Sequence, residues 1–133
     1  MTDTNQPKVL IADDDQLVCK VLTIIFSKLG MRCLRAQTGS EAIDMLKDTN
    51  NLFALMILDL VLPGKLTGWE VLTTVRDCTH LASMPIIVMT GANISEHETK
   101  KLLEKAQVVV QKRDFAVESF SKLVINMLNK EPS

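Results

Sequence analysis

The chain alternates five times between a short apolar run and a segment with helical periodicity, and this rhythm constrains its fold most strongly. The apolar runs lie at about 8–12, 32–36, 55–58, 85–89 and 108–110. Each is followed by a stretch in which apolar residues recur every three or four positions, which is typical of an amphipathic helix. Such repeated βα units place helices on both faces of a parallel sheet. The sequence therefore predicts an α/β protein with a doubly wound parallel sheet.

One domain is the expected organisation of the whole chain, residues 1–133. Its length matches a common size for a single domain, and no internal linker interrupts the βα rhythm. We expect a core over about 8–128, with polar tails at 1–7 and 129–133. Fifteen Lys and Arg against sixteen Asp and Glu leave a net charge of −1. Bulk charge therefore gives no reason to expect direct binding to nucleic acid or to an anionic membrane.

The N-terminus and the cysteines favour a cytoplasmic protein. The first seven residues are polar and contain no apolar segment of the kind that directs export. The longest apolar run is interrupted by Asp59, so no membrane span is expected. Cys19, Cys33 and Cys78 are odd in number and widely spaced, which fits reduced thiols better than a disulfide framework.

Asp59 is a single carboxylate inside the most apolar stretch of the chain, Leu55 to Leu62. A charge within a strand buried on both faces would cost on the order of several kcal/mol unless it is paired or bound to a metal. That cost is lowest if Asp59 lies at the C-terminal end of the strand, where open α/β sheets have their ligand crevice. Taken alone, Asp59 is equally compatible with a residue that merely caps a turn, so the other strands must decide.

Polar residues also follow three other predicted strands. Asp13 and Asp14 follow the first strand, Thr90 follows the fourth, and Lys112 follows the fifth. Each has a plain structural interpretation alone, as a helix N-cap, a turn residue or a surface charge. Right-handed crossovers make the strands parallel, so their C-terminal ends share one edge of the sheet. We therefore expect these side chains to converge on Asp59.

Such a cluster supports a narrow range of chemistry. Three carboxylates at one place repel one another, and a hard divalent cation with oxygen ligands is the usual resolution. Mg²⁺ suits a site with few protein ligands and several waters. A carboxylate beside Mg²⁺, a hydroxyl and an ammonium group has the parts needed for phosphoryl transfer to an aspartate. Asp59 is the expected nucleophile because it alone follows the central buried strand.

These residues resemble the receiver domain of two-component response regulators over about residues 8–128. The likeness is carried by Val9–Asp15 as first strand and acidic pair, Leu55–Gly64 as phosphoacceptor strand and loop, Met84–Gly91 as switch-threonine strand, and Lys112. The resemblance implies a (βα)5 flavodoxin-like fold with strand order 2-1-3-4-5. It also implies a phosphoacceptor signalling domain rather than a turnover enzyme.

The resemblance assigns a role to each of these residues. Asp59 would receive a phosphoryl group from the phosphohistidine of a sensor histidine kinase or a histidine phosphotransfer protein. The hydroxyl of Thr90 would move onto that group, and Lys112 would pair with it. The implied Mg²⁺ ligands are the carboxylates of Asp13, Asp14 and Asp59 and the backbone carbonyl of Val61. Phosphorylation would switch a surface around the fourth helix, fifth strand and fifth helix toward an unidentified output partner or effector domain.

Three positions depart from the family pattern. Arg113 follows Lys112, where the family usually has a proline after a cis peptide bond, so we expect either a retained cis bond or a differently aimed Lys112. Val109 stands where many members carry a switch aromatic. The loop from Asp59 to Gly68 is one residue longer than usual. The departures at Arg113 and Val109 keep open an alternative function, a receiver-like docking module that works without phosphorylation.

A Mg²⁺-dependent aspartyl-phosphate phosphatase of the haloacid dehalogenase type is a weaker alternative. Such an enzyme would want a second carboxylate two residues after the nucleophile, and this chain has Val61 there. It would also need a cap insertion, for which 133 residues leave no room.

Overall fold

The computed structural model describes residues 6–129, in which strands and helices alternate. The strands are β1 (Lys8–Ala12), β2 (Arg32–Ala36), β3 (Phe53–Leu58), β4 (Ile86–Thr90) and β5 (Val108–Gln111). The helices are α1 (Gln16–Lys28), α2 (Gly39–Lys47), α3 (Gly68–Asp77), α4 (Glu96–Leu103) and α5 (Val117–Asn129), with short 3-10 helices at Thr79–Leu81 and Lys112–Asp114. Most of the two predicted polar tails, 1–5 and 130–133, lies outside the described residues.

The five strands form one parallel sheet in the order β2-β1-β3-β4-β5, which confirms the predicted fold and strand order. β1 and β3 are neighbours near the centre, and Ala12 pairs with Leu58 at their C-terminal ends. Asp13 and Asp59 are the next residues along, so the register places them side by side. The fold itself therefore brings two carboxylates together that are far apart in sequence.

A separate apolar core lies on each face of the sheet. One side of the central strands packs against α2, α3 and α4, and the other packs against α1 and α5. Successive strand residues point to opposite faces, so the same strand supplies both cores. In β3, for example, Met56 and Leu58 enter one core and Leu55 and Ile57 the other. This double burial explains why the central strand β3 is apolar throughout rather than alternating.

Four strand boundaries differ by one or two residues from those predicted; two of them are the start of β4, at Ile86 rather than Pro85, and the end of β5, at Gln111 rather than Val110. β3 begins at Phe53 rather than at Leu55, because Phe53 pairs with Lys8 across a local shift in register. β4 runs to Thr90 rather than ending before it, because Thr90 pairs with Gln111 of β5. Thr90 is therefore the last residue of a strand, fixed by its neighbour on the sheet.

Three helices are preceded by a Ser or Thr with a Glu three residues later, the pattern of a capping box, which forms fully at two of them and partly at the third. At α3 and α4 the N-cap hydroxyl and the glutamate three residues later bond reciprocally, in the pairs Thr67–Glu70 and Ser95–Glu98. At α2 the bond shown is that from the Glu41 N–H to Thr38 Oγ1. α4 buries only Leu102, and Leu103 is 48% exposed, so α4 is a weakly anchored surface helix.

Two further expectations concern the cysteines and the possibility of a membrane-spanning helix. Cys19, Cys33 and Cys78 are free thiols, and burial raises the pKa of Cys33 to about 11. Within residues 6–129, each helix is too short or too polar to cross a membrane.

Candidate functional site

Asp59 lies at the middle of the C-terminal edge of the sheet and is only 5% exposed. Its N–H donates to the carbonyl oxygen of Ala12 at 3.0 Å, which extends the β1–β3 pairing by one residue. Oδ1 accepts a hydrogen bond from the Val61 N–H at 3.2 Å, and Oδ2 accepts one from Lys112 Nζ at 3.0 Å. Both carboxylate oxygens therefore have a partner, and the side chain is held in one orientation.

Asp13 is fully buried at the end of β1. Its Oδ1 accepts a hydrogen bond from the Asp15 N–H at 2.8 Å. Its Oδ2 lies 2.9 Å from Lys112 Nζ, which makes an ion pair without the geometry of a hydrogen bond, and no other group satisfies this oxygen. Burial is the main reason that the pKa of the Asp13 carboxyl lies above its ordinary value. A buried carboxylate oxygen without a donor is unusual and is expected where a cation binds.

Lys112, the first residue of the 3-10 helix after β5, contacts both carboxylates with a side chain that is 19% exposed. Burial by itself would lower the pKa of this ammonium group, but the contacts of Nζ with the carboxylates of Asp13 and Asp59 outweigh it and raise the pKa. Every peptide bond in the described range is trans, including the one before Arg113. Lys112 thus reaches the acidic residues with a trans bond, so neither expected consequence of Arg113 is observed.

The third carboxylate, that of Asp14, completes an acidic cluster. Asp14 is exposed, and one carboxylate oxygen from each of Asp13, Asp14 and Asp59 lies within 4.8 Å of the other two. Oxygen-only donors with two buried members and one exposed member fit a hard cation that keeps part of its water shell, as Mg²⁺ does. Val61 follows on the adjoining loop; its carbonyl as a ligand stays a prediction.

Thr90 is fully buried at the end of β4. Its Oγ1 accepts a hydrogen bond from the Ala92 N–H at 3.1 Å. In this conformation the hydroxyl is thus tied to the loop that follows β4. The movement of the Thr90 hydroxyl onto a phosphoryl group stays a prediction.

Two residues that the sequence analysis missed, Gly68 and Arg35, contact the backbone of the acidic residues or of their neighbours. Gly68, the first residue of α3, donates its N–H to the Leu60 carbonyl at 2.9 Å. A Cβ at Gly68 would overlap the Asp59 carbonyl and lie 2.5 Å from Leu60 Cα, so only glycine allows this contact. Arg35 of β2 donates Nε to the Asp13 carbonyl at 3.1 Å and Nη2 to the Asp14 carbonyl at 2.9 Å. Both interactions involve backbone atoms, which leave no pattern in the sequence.

Comparison with known proteins gives consistent results. The family model described as the response regulator receiver domain matches residues 9–124. The two-component response regulator ORR5 of Oryza sativa subsp. japonica is 28% identical over 101 residues, covering 76% of this chain and 74% of that protein. ARR17 of Arabidopsis thaliana, also a two-component response regulator, is 28% identical over 131 residues, covering 91% and 84%. The crystal structure of a CheY-like receiver domain protein from Methanospirillum hungatei JF-1 superposes with a TM-score of 0.80 at 22% identity, covering 94% and 95%.

Proposed function

Because this chain belongs to the response regulator receiver domain family, we propose that it is a phosphoacceptor signalling domain in which Asp59 receives the phosphoryl group. One observation carries the proposal: the Asp59 carboxylate is held at the edge of the sheet, beside an ammonium group and two further carboxylates. The family implies histidine kinases or histidine phosphotransfer proteins as donors, and such a domain would act in the cytoplasm. It would serve as a signalling domain rather than as an enzyme that turns over substrate.

In the proposed reaction, a carboxylate oxygen of Asp59 attacks the phosphorus of the donor's phosphohistidine. A P–O bond forms, the P–N bond breaks, and its electron pair returns to the imidazole ring. The Val61 N–H orients the nucleophile through its bond to Oδ1. The Lys112 ammonium, 3.0 Å from Oδ2, is placed to offset negative charge on the phosphoryl oxygens.

Mg²⁺ is the proposed cofactor. The carboxylates of Asp13, Asp14 and Asp59 and the backbone carbonyl of Val61 would hold it. When bound, the ion would neutralise the acidic cluster and the transferring phosphoryl group. The buried Asp13 Oδ2, which has no hydrogen-bond donor, supports this assignment. Among residues 6–129, Lys112 is the cationic group that contacts both buried carboxylates.

Output would follow from Thr90. Its hydroxyl would exchange the Ala92 N–H for a phosphoryl oxygen, which would displace the loop after β4. Phosphorylation would thereby bias a two-state equilibrium of the surface formed by α4, β5 and α5. Val109 is half-buried in β5 and packs against one core. Val109 is too small to act as a switch aromatic. Movement of the loop after β4 would therefore transmit phosphorylation to the output surface.

The proposal is tested by intact mass after incubation with acetyl phosphate and Mg²⁺. We expect the wild type to gain one phosphoryl group, and Asp59→Asn to gain none. Asp44→Asn, a change at an exposed position of α2, is the matched control and should react as the wild type does. Chelation of Mg²⁺ should stop the reaction.

A wild type that binds Mg²⁺ but gains no mass would count against acetyl phosphate as a donor and call for others. Phosphoramidate, whose P–N bond resembles that of phosphohistidine, and a panel of histidine kinases would then serve as further donors. Failure with all of them would favour the docking module that works without phosphorylation.

A further inference from the structure

Arg35 holds the backbone of the acidic pair. The side chain reaches from the edge strand β2 across the end of β1, where Nε donates to the Asp13 carbonyl and Nη2 to the Asp14 carbonyl. A single planar guanidinium thus binds two successive carbonyl oxygens at 3.1 and 2.9 Å. The Cys19 thiol also lies 3.5 Å from the Asp13 carbonyl. The backbone carbonyls of Asp13 and Asp14 are therefore held by side chains from other secondary-structure elements.

We propose that Arg35 is a positioning residue for the divalent cation: it orients Asp13 and Asp14 so that their carboxylates meet that of Asp59. This inference rests on the proposed function, since it concerns the same cation site. Arg35 touches none of the three carboxylates through the hydrogen bonds that the structure shows. Its effect would pass through the peptide groups of the two acidic residues.

Asp14 depends on Arg35 more than Asp13 does. Asp13 is also held by its N–H bond to the Ala36 carbonyl at 3.2 Å and by the bond from the Asp15 N–H to Oδ1. Asp14 lies between the end of β1 and the N-cap of α1 and is exposed. In the described part of the chain, the bond from Arg35 is the hydrogen bond that restrains it. Without this bond, the Asp14 carboxylate would sample orientations that do not face the cation.

Orientation and charge predict opposite effects of removing Arg35. As a nearby positive charge, the guanidinium would repel Mg²⁺, so its loss would tighten binding. As a positioning group, it would organise the ligands, so its loss would weaken binding. Lysine keeps the charge but lacks the planar pair of donors that binds two oxygens in fixed geometry. Arg35→Lys therefore separates the two effects, and Arg35→Gln removes the charge as well.

The test is calorimetric titration of the folded protein with MgCl₂. We expect both Arg35→Lys and Arg35→Gln to raise the Kd for Mg²⁺ about tenfold, as is usual when a residue that orients a metal ligand is lost. Arg32→Lys, at an exposed position of the same strand, should leave the Kd unchanged. The Mg²⁺ concentration for half-maximal phosphorylation by acetyl phosphate should rise by the same factor. The rate at saturating Mg²⁺ should not change, because the nucleophile and Lys112 are intact.

Unfolding in urea without metal identifies a merely structural role. Such a role would lower the free energy of unfolding and leave the Kd of the folded variant as in the wild type, which would overturn the inference. Tighter binding by Arg35→Gln would overturn it as well, in favour of charge repulsion. If Arg35→Gln fails to fold, the Kd of Arg35→Lys for Mg²⁺ alone decides whether Arg35 is a positioning residue.

The same experiments keep the two proposals apart. A wild type without affinity for Mg²⁺ would refute the cation site and this inference together. A wild type that binds Mg²⁺ but is not phosphorylated by any donor would refute the role of Asp59, and the titration would still decide the role of Arg35.

Discussion

Lys112 Nζ lies 3.0 Å from Asp59 Oδ2, so the ammonium group of the residue that follows edge strand β5 neutralises the carboxylate that follows β3. Asp13 shares the same ammonium at 2.9 Å. Replacement of Lys112 by Met would leave two buried carboxylates facing each other without a cation. We expect a loss of about 1–3 kcal/mol in the free energy of unfolding without metal. Urea denaturation in EDTA measures it.

Mg²⁺ should reverse most of that loss. The ion replaces the positive charge that Lys112→Met removes, so the variant should bind Mg²⁺ more tightly and gain more stability from it than the wild type. Lys122→Met is the matched control, because Lys122 is 74% exposed and pairs with exposed Glu118 at 3.8 Å. Its stability should change by less than about 0.5 kcal/mol. Equal stabilisation of Lys112→Met and wild type by Mg²⁺ would show that the ion does not bind beside Lys112.

Asp13 should make stability depend on pH. Burial raises the pKa of its carboxyl in the folded protein above the ordinary value of 3.8. The folded state thus binds the proton more tightly than the unfolded state, and this contribution is full below pH 3.8 and lost as pH rises through the raised pKa. At pH 7 the ionised carboxyl therefore lowers the stability of the metal-free protein.

Asp13→Asn should accordingly be more stable than the wild type at neutral pH, and the difference should shrink as pH falls toward 3.8. Urea denaturation in EDTA at a series of pH values measures the difference. A variant that is less stable than the wild type at pH 7 would mean that the ion pair with Lys112 outweighs the burial of Asp13.

The sequence was sufficient to predict the fold and the meeting of the acidic residues, because both follow from the sheet. Asp13 and Asp59 follow strands that are neighbours in the order 2-1-3-4-5, and the pairing of Ala12 with Leu58 then places them together. The strand end at Thr90 was misplaced by one residue. Pairing with Gln111 decides that boundary, and a neighbouring strand is not visible in the local pattern.

The supporting residues could not be predicted from the sequence, because they act on backbone atoms. Arg35 in an edge strand has the pattern of any half-buried basic residue, and its acceptors are carbonyl groups that every residue carries. Gly68 stands where a helix begins, a common place for glycine, and its contact with the Asp59 carbonyl depends on the tertiary approach of α3. The bond before Arg113 is trans, which is the default for any residue other than proline.

Gly68→Ala should lower the stability of the protein and displace the backbone of Asp59. The added Cβ would overlap the Asp59 carbonyl and lie 2.5 Å from Leu60 Cα, and backbone atoms cannot move aside as a flexible side chain can. We expect a loss of about 2–4 kcal/mol in the free energy of unfolding, as in overpacked cores. In the folded fraction, displacement of Asp59 should also weaken Mg²⁺ binding. Thermal unfolding and calorimetric titration measure the two effects.

Gly91→Ala is the control for Gly68→Ala. At Gly91 a Cβ would meet only Lys112 Cδ, at an ordinary 3.7 Å, and the backbone there does not lie in the left-handed region. Its stability should stay within about 0.5 kcal/mol of the wild type. Similar losses at both glycines would indicate that chain flexibility, rather than the contact with Asp59, accounts for the effect.

Arg76 should be the most sensitive charged position away from the candidate site. From α3 its guanidinium binds four oxygens at the opposite edge of the sheet: the carbonyls of Lys105, Leu81 and Ala82 and Oε1 of Gln107. Gln107 Oε1 also accepts the Ile86 N–H at the start of β4. Burial lowers the pKa of Arg76, in keeping with its partly enclosed position.

Arg76→Met keeps the apolar stem but leaves these oxygens without their donor, so we expect a loss of about 2–3 kcal/mol in the free energy of unfolding. Arg76→Lys should restore only a minor part of the stability, because one ammonium group cannot bind all four acceptors on the two segments 81–82 and 105–107. Arg32→Met, at an exposed position, should change stability by less than about 0.5 kcal/mol. Hydrogen exchange should locate the effect, with faster exchange at Ile86 and Gln107. If Arg76→Lys were as stable as the wild type, the charge of Arg76 rather than its fixed geometry would hold α3 against the start of β5.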